Sequence, residues 1–347
     1  MIERGRLMKK VFAILLTLVM CAGIVGGAVA EADQRLVVGL IQQDLTHPFH
    51  LGEVEGAKVA ADKYDFELVV TSGEGDVTKQ VQAFDNLLDK CDVISINTID
   101  VTAFKNSFEK AKEMGVTVVV QHSRAEEGMS AGTIGFDEWK MSGEVGEYAI
   151  ELLNAQGGEL KEKKVVMLAG NLGQGLNEGR TGGFAEVMAQ NDVAILAQEA
   201  TNWDGTKAVT IMENYLTTYD QIDLLYGMSD GVTYPAAQVI INAGRDGEIL
   251  ICSIDGSSEA IQAIITGEMD CTYLLASQYT GYYKALIPFK VMTENLDISQ
   301  DYILPGIIVT KDNAAAMLQL ADDMANKTAD FPFDKPLGDI IQEYLAK

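Results

Sequence analysis

Short apolar runs alternate along the chain with longer segments whose apolar residues recur at helical spacing. The runs LVVGLI at 36–41 and TVVVQ at 117–121 are apolar on both faces, which is typical of parallel strands covered by helices on both sides. Between such runs, apolar residues lie three and four positions apart, which indicates helices. The pattern predicts strands at 36–41, 67–72, 93–97 and 117–121 and helices at 52–64, 77–90 (with Asp76 as N-cap) and 104–114.

The same alternation resumes after a break near residues 135–137. It predicts strands at 165–169, 194–200, 224–228, 249–254 and 271–275, and helices beginning near Asn177, Thr206, Tyr234 and Ser257. Each series is long enough for one doubly wound domain, so the pattern predicts two α/β domains in series. Beyond residue 275 it predicts helices at 279–294, 314–326 and 339–345, with an apolar segment at 302–309 and a loop at 331–336.

The N-terminus has the layout of a secretory signal peptide. Four basic residues precede an apolar run at 11–25, which leads to the small-residue triplet Ala28-Val29-Ala30. The run is shorter than the ~20 residues that a transmembrane helix needs. We therefore predict cleavage after Ala30 and a periplasmic location. A membrane anchor and lipidation of Cys21 are the alternatives.

Charge and cysteine content exclude several classes of protein. The net charge is −25, and removal of residues 1–30 would leave 22 basic and 50 acidic residues, a net charge of −28. Such a chain repels phosphate backbones and anionic membrane surfaces, so we expect no nucleic-acid partner. Cleavage would leave three cysteines, Cys91, Cys252 and Cys271, too few for a disulfide framework. Whether Cys252 pairs with Cys271 stays open.

Motifs for catalysis and phosphate binding do not occur in their complete form. The glycines at 170, 173, 175 and 179 follow a predicted strand, but their order is G-x-x-G-x-G rather than the dinucleotide fingerprint G-x-G-x-x-G. The sequence contains no phosphate-binding P-loop motif, no nucleophile elbow and no zinc-protease motif. We therefore predict that the protein is not an enzyme and holds no cofactor and no metal.

Polar and aromatic residues gather where the predicted strands end. Ligands of open parallel sheets bind beyond the carboxyl ends of the strands. Aromatic rings combined with carboxylates, amides and a guanidinium are suited to binding hydroxyl groups. The candidate ligand-binding residues are Gln43, His47, Phe49, Asn97, His122, Ser123 and Arg124 in the first series and Arg180, Trp203, Ser229 and Asp255 in the second. Asp44 and Asp230 have a simpler interpretation, as a turn residue and a helix cap.

Several short motifs in register resemble the periplasmic sugar-binding proteins of the ribose and galactose type. THPF at 46–49 is followed by EGA at 55–57, and ISIN stands at the end of a predicted strand. The motifs RTGGF, NWDGTKA, MSDGV and SIDGS follow in the family's order and spacing. The resemblance extends from about residue 36 to residue 309.

The resemblance implies a fold, a domain division and a function. The fold would be α/β, with two doubly wound parallel-sheet lobes joined by a three-strand hinge near 135–138, 275–278 and 307–310. The N-terminal lobe would hold residues 31–136 and 277–306, and the C-terminal lobe residues 137–276 and 307–347. The protein would be a monomer that closes on a small polar ligand and delivers it to the membrane permease of an ABC transporter.

The resemblance also implies roles for individual residues. Phe49 and Trp203 would stack on the ligand, while Arg180 and Asp255 would bind its oxygen atoms. His47 and Ser229 stand where the family usually has asparagine. His122-Ser123 replaces an acidic–basic pair for which Arg124 would compensate, and Leu275 replaces a glutamine. These departures weaken the case for ribose and leave a sugar, polyol or furanone as the ligand.

The three histidines of the chain all fall in two predicted strand-end loops. We predict that His47 and His122 form hydrogen bonds to the ligand and that His50 points along its helix, away from the cleft. A zinc site and a surface or capping role are the alternatives.

Three other functional classes are consistent with parts of the pattern. A binding protein that serves a chemoreceptor or a sensor kinase would look the same in sequence. A secreted enzyme on a Rossmann-like scaffold would need a nucleophile–base pair, and no such pair lies at matched strand ends. A transcription regulator of this fold would begin with a helix-turn-helix headpiece, whereas this chain begins with a signal-like segment.

Overall fold

The computed structural model describes residues 35–171 and 175–346. The predicted signal peptide, its cleavage site and Cys21 lie outside these residues. Within the described part of the chain, no helix is long and apolar enough to cross a membrane.

Strands and helices alternate along most of the described chain. The strands are β1 Val37–Gln42, β2 Glu67–Ser72, β3 Val93–Asn97, β4 Thr117–Gln121, β5 Gly132–Gly135, β6 Lys164–Ala169, β7 Ala194–Ala200, β8 Leu224–Gly227, β9 Leu250–Cys252, β10 Cys271–Leu274, β11 Tyr302–Ile303 and β12 Ile307–Thr310. The helices are α1 Pro48–Tyr64, α2 Val77–Asp85, α3 Lys105–Met114, α4 Glu138–Gln156, α5 Gly175–Gln190, α6 Gly205–Thr218, α7 Asp230–Asn242, α8 Ser258–Thr266, α9 Ser277–Glu294, α10 Ala314–Asn326 and α11 Leu337–Leu345.

The strands form two six-stranded sheets that confirm the predicted α/β class. The first has the order β11-β5-β4-β3-β1-β2 and is parallel throughout. The second has the order β12-β10-β9-β8-β6-β7, and only its edge strand β12 is antiparallel. Strand order reverses beside β1 in one sheet and beside β6 in the other. Ligands of doubly wound sheets bind at such points.

The chain passes between the two sheets three times. It leaves the first sheet after β5, returns between β10 and α9, and leaves again between β11 and β12. Helix α9 packs along α1 beside the first sheet, whereas α4 packs against α5 beside the second. The resemblance placed the last passage at 307–310. Those residues form β12, so the passage lies in the segment before it.

Most predicted elements appear at or near their predicted positions, and the differences have physical reasons. Asp76 caps α2 as predicted, since its carboxylate accepts a hydrogen bond from the Lys79 amide at 2.9 Å. Three elements were not predicted as such: helix α4, whose buried face includes Glu138, Ser142 and Gly146, and the short strands β5 and β11. The same helix also buries Met141, Val145, Ala149 and Leu153 at helical spacing, so its apolar pattern is compatible with a helix and the omission was an error of prediction.

The C-terminal segment contacts both parts of the fold. Helix α10 packs on α8 and β12 beside the second sheet. Beyond it, the ring of Phe333 stacks on that of Tyr282 in α9, with a centroid distance of 5.1 Å. The domain division predicted from the resemblance assigns residues 307–347 to the C-terminal lobe, but Phe333 and Asp334 pack against helices of the first sheet.

Candidate functional site

A narrow cavity of about 60 Å³ lies where the carboxyl ends of the strands of both sheets meet. Nine of the eleven candidate ligand-binding residues line it, together with Asp44, His50 and Leu176. The lining residues are Gln43, Asp44, His47, Phe49, His50, Asn97, His122, Leu176, Arg180, Trp203, Ser229 and Asp255. Residues separated by as much as 212 positions in the sequence therefore converge at one place, and their contact with a ligand stays a prediction.

Two amides form the floor on the side of the first sheet. Gln43 follows β1 and Asn97 ends β3, and these two strands are neighbours in the sheet. The Gln43 Nε2 donates to Asn97 Oδ1 and to the Thr98 carbonyl, each at 3.1 Å. The nearby Asp44 accepts hydrogen bonds from Thr46 and from the His47 amide, so it is a turn residue, as its simpler interpretation predicted.

The start of α1 supplies one phenyl ring and two imidazoles. His47 is the N-cap, and its Nδ1 accepts the Phe49 amide hydrogen at 3.3 Å. His50 lies in the same turn, and its Nδ1 pairs with Glu53 Oε2 at 2.8 Å. His50 was predicted to point along its helix, away from the cleft: its ring bonds along the helix to Glu53, but the residue also lines the cavity.

Trp203 faces the cavity from the second sheet. It follows β7 and lies on the backbone at a φ of 60°, directly after Asn202 at a φ of 56°. Its indole packs flat against Gly170 at the end of β6, where any Cβ atom would collide with the ring. The tryptophan ring is therefore held in place by the backbone on which it rests, in an orientation that exposes part of it to the cavity.

Arg180 and Asp255, both predicted to bind oxygen atoms of the ligand, form an ion pair with each other. The Arg180 NH1 donates to the Met228 carbonyl at 2.6 Å and to Asp255 Oδ1 at 3.3 Å, while Ser229 Oγ donates to the other oxygen of Asp255 at 2.5 Å. Ser229 also caps α7 by accepting the Gly231 amide hydrogen. Asp230 was predicted as that cap, but its carboxylate instead accepts from the Ser257 amide and Thr272.

His122 lines the cavity but has no ring nitrogen left for a ligand. Its Nδ1 lies 3.0 Å from Glu138 Oε1, and its Nε2 lies 2.8 Å from the Lys284 ammonium. The predicted hydrogen bonds from His122 to the ligand are therefore replaced by bonds to buried protein groups. Burial, together with the charge of Lys284, lowers the pKa of His122, so the ring is neutral at pH 7.

Ser123 and Arg124 are the two candidates that the structure does not bring into the cavity. The Arg124 side chain is 77% exposed and pairs with Asp301 on the surface, with its Nε 3.1 Å from the Asp301 carboxylate. Arg124 therefore does not replace the missing basic residue of the family. Ser123 accepts a hydrogen bond from Thr133 through its carbonyl, outside the cavity lining.

Three charged residues behind the cavity were not predicted: Glu53, Glu138 and Lys284. Glu53 and Lys284 are fully buried and Glu138 is 8% exposed. Charged residues are normally on the surface, so helical spacing alone gives no signal that these are buried. Within the described residues, no cluster of histidine, cysteine and carboxylate side chains is suited to hold a metal ion.

A second, larger cavity of about 280 Å³ adjoins the first. His47, Phe49 and Asp255 line both cavities. Its other walls are mostly apolar and include Tyr234 and Met324. The polar cavity therefore opens on one side into more apolar space between the same elements.

Comparisons with known proteins agree with this architecture. A family profile described as a periplasmic binding protein domain matches residues 38–287. The ribose import binding protein RbsB of Bacillus subtilis is 26% identical over 82% of this chain and 87% of its own length. A xylitol-binding protein of Mycolicibacterium smegmatis is 25% identical over 85% of this chain and 82% of its own.

Solved structures give the same result for the fold. An ABC transporter solute-binding protein of Mycobacterium smegmatis with bound glycerol has a TM-score of 0.75 and 25% identity, and covers 81% of this chain and 96% of its own. A galactofuranose-binding protein superposes with a TM-score of 0.76 at 21% identity, over 83% of this chain and 99% of its own. The two-lobed fold predicted from the sequence is confirmed.

Proposed function

The chain belongs to the periplasmic binding protein family, and we propose on this premise that it captures a small, polyhydroxylated, sugar-like solute and delivers it to an ABC-type permease. The observation that carries the proposal is the convergence of nine candidate residues from both sheets on one cavity. Relatives that bind ribose, xylitol and galactofuranose support the ligand class. Catalysis is not part of the proposal, since the relatives are binding proteins.

We assign the ligand contacts residue by residue. Phe49 and Trp203 supply ring faces for the C–H surface of a sugar, and Asp255, Asn97 and Gln43 supply acceptors and donors for hydroxyl groups. The ligand lies between elements of both sheets, so its binding favours the closed arrangement of the two lobes. We place the protein in the periplasm as a monomer, after removal of residues 1–30.

A thermal-shift screen of residues 31–347 tests the proposal. The probes are D-ribose, D-allose, D-galactose, xylitol and myo-inositol at millimolar concentration. Ligand-linked stabilisation follows RT ln(1 + [L]/Kd), so a micromolar binder adds about 4 kcal/mol to the free energy of unfolding. We expect a saturable upward shift of Tm with at least one probe, and calorimetric titration then gives the Kd. Absence of a shift with all five would contradict the proposed ligand class.

A further inference from the structure

A continuous chain of charged and polar side chains runs from the interior of the first lobe into the cavity and on to the second lobe. We call it the buried charge chain. Each member contacts the next through a hydrogen bond or ion pair. Its members, in order, are Glu53, Lys284, His122, Glu138, Arg180 and Asp255.

The first half of the buried charge chain fixes the protonation of His122. Lys284 on α9 pairs with Glu53 on α1, and both are fully buried where the helices pack closely: a Cβ atom at Gly281 would collide with the Glu53 backbone. The Lys284 ammonium can only donate, so His122 Nε2 accepts its hydrogen bond. The imidazole proton therefore sits on Nδ1, and His122 donates it to Glu138 at 3.0 Å.

The second half of the buried charge chain contains the ion pair between Glu138 and Arg180. Glu138 is the first residue of α4, and its second oxygen accepts from Arg180 Nε at 2.8 Å. Burial alone would raise the pKa of Glu138, but Arg180 and His122 hold that pKa below its usual value, so the group is ionised. Arg180 lines the cavity, whereas Glu138 does not. Glu138 therefore acts on a ligand only through Arg180 and His122.

The charged groups around Arg180 determine how the cavity interacts with a charged ligand. Arg180 is the only lysine or arginine among the described residues that line the cavity. Its guanidinium is paired with two carboxylates, Glu138 and Asp255. A carboxylated ligand would have to compete with these buried carboxylates for the same cation, at a place where burial strengthens repulsion between like charges.

We propose that Glu138 sets the charge selectivity of the cavity: by neutralising and orienting Arg180 from behind, it makes the site accept neutral polyhydroxylated ligands and reject carboxylated ones. This inference rests on the proposed sugar-binding function. Glu138 is a positioning residue, since its effect on the ligand passes through Arg180. The cavity without Glu138 would present a guanidinium with spare hydrogen-bonding capacity, which is the preferred partner of a carboxylate.

The test compares neutral and anionic probes on the wild type and on Glu138→Gln. The neutral probes are D-ribose, D-galactose and myo-inositol, and the anionic probes are D-ribonate and D-galacturonate. We expect the wild type to bind the anions at least ten times more weakly than its best neutral probe. Glu138→Gln keeps the shape of the side chain and removes its charge, so we expect this ratio of Kd values to fall by about tenfold or more.

The controls separate selectivity from a merely structural role. Glu186→Gln makes the same charge change at a residue whose carboxylate binds the exposed Trp139, and it should leave the ratio unchanged. Glu138→Asp keeps the charge and should retain the discrimination. A structural role alone would lower the affinity of Glu138→Gln for both kinds of probe equally. An unchanged ratio alongside normal binding of a neutral probe would overturn this inference and leave the proposed function intact.

A second variant covers the case in which Glu138→Gln does not fold. Arg180→Met removes the cation and leaves Glu138 bonded to His122 alone, so discrimination against D-galacturonate should increase. A ratio equal to that of the wild type would also overturn the inference. A wild-type protein that binds none of the neutral probes, either of this test or of the thermal-shift screen, would overturn the proposed function and this inference together.

Discussion

Three side chains that line the cavity stand on backbone that residues other than glycine seldom adopt. The φ angles are 57° at His122, 60° at Trp203 and 123° at Asp255. Each such conformation costs about 1–3 kcal/mol and persists only where the surroundings determine it. Here the surroundings are specific: the bonds to Glu138 and Lys284, the surface of Gly170, and the bond to Arg180. These backbone conformations orient the three side chains towards the cavity in the absence of a ligand.

Trp203→Ala tests this arrangement most directly. The indole offers a half-buried ring face to the cavity, and loss of an aromatic contact of that kind should weaken ligand binding by about 1–3 kcal/mol. Calorimetric titration with the best neutral sugar of the thermal-shift screen measures the change. The control is Trp139→Ala, since that residue is 51% exposed and lies outside the cavity. Equal affinities in the two variants would remove Trp203 from the site.

The histidines predict a particular dependence of affinity on pH. Burial lowers the pKa of His47 below 6.5, although the nearby Asp255 opposes the shift, and burial with Lys284 lowers the pKa of His122. Both rings are therefore neutral from pH 7 upwards, so the histidines should not change the affinity for a neutral sugar there. We expect the affinity to fall at a pH below 6.5, as the histidines become protonated, because a protonated His122 cannot accept the hydrogen bond from Lys284.

The same histidines predict how the free energy of unfolding changes with pH. Their pKa values are lower in the folded protein than in the unfolded one, so the unfolded state binds more protons and the free energy of unfolding falls as the pH drops through 6.5. Asp230 works in the opposite direction, since burial raises its pKa to about 7. The test measures the Kd for a neutral sugar and the free energy of unfolding in urea between pH 5 and 8. Both are compared between the wild type and the double variant His47→Asn, His122→Asn. Identical pH profiles would show that the histidines do not titrate in this range.

At the scale of elements, the sequence predicted the strands better than the helices that shape the site. Apolar residues on both faces identify buried parallel strands, and β2, β3, β4 and β7 begin and end at the predicted residues. Because strand ends meet at one edge of a sheet, the candidate residues after those strands could be identified without any contact information. This is why nine of the eleven converge on the cavity.

Helix α4 carries polar residues whose burial could not be predicted from the sequence. Its buried face carries Glu138, Ser142 and Gly146 at successive turns, where apolar residues would normally appear. These residues are buried because α5 packs against them, which is a long-range contact with no local signature. The partners of Glu138 lie 16 and 42 positions away. The burial of Glu138 is therefore revealed only by tertiary structure, whereas the helix itself has a local apolar pattern that includes Met141 and Val145.

For the whole molecule, the C-terminal segment adds a link between the lobes beside the three passages of the chain. Helices α10 and α11 pack on each other and α10 packs beside the second sheet. The segment between them reaches α1 and α9, where Asp334 accepts hydrogen bonds from Lys63, Tyr64 and Tyr282. Because this segment joins elements beside both sheets, we expect it to restrain rotation of the lobes away from the arrangement described here.

Asp334→Ala should therefore shift the molecule towards the open form without touching the cavity. The partners Lys63 and Tyr64 of Asp334 lie at the end of α1. Asp323 is the matched control, because its carboxylate accepts hydrogen bonds from side chains of the C-terminal region: Gln319, Lys327 and Tyr344. Partly exposed ion pairs contribute about 0.2–1 kcal/mol, so we expect the Kd for a neutral sugar to rise by at most about fivefold in Asp334→Ala. Asp323→Ala should lower Tm with no such rise.

Small-angle scattering of the unliganded proteins should show a larger radius of gyration for Asp334→Ala alone. Equal Kd and equal radius in the two variants would mean that the C-terminal segment follows the lobes passively and does not restrain their opening.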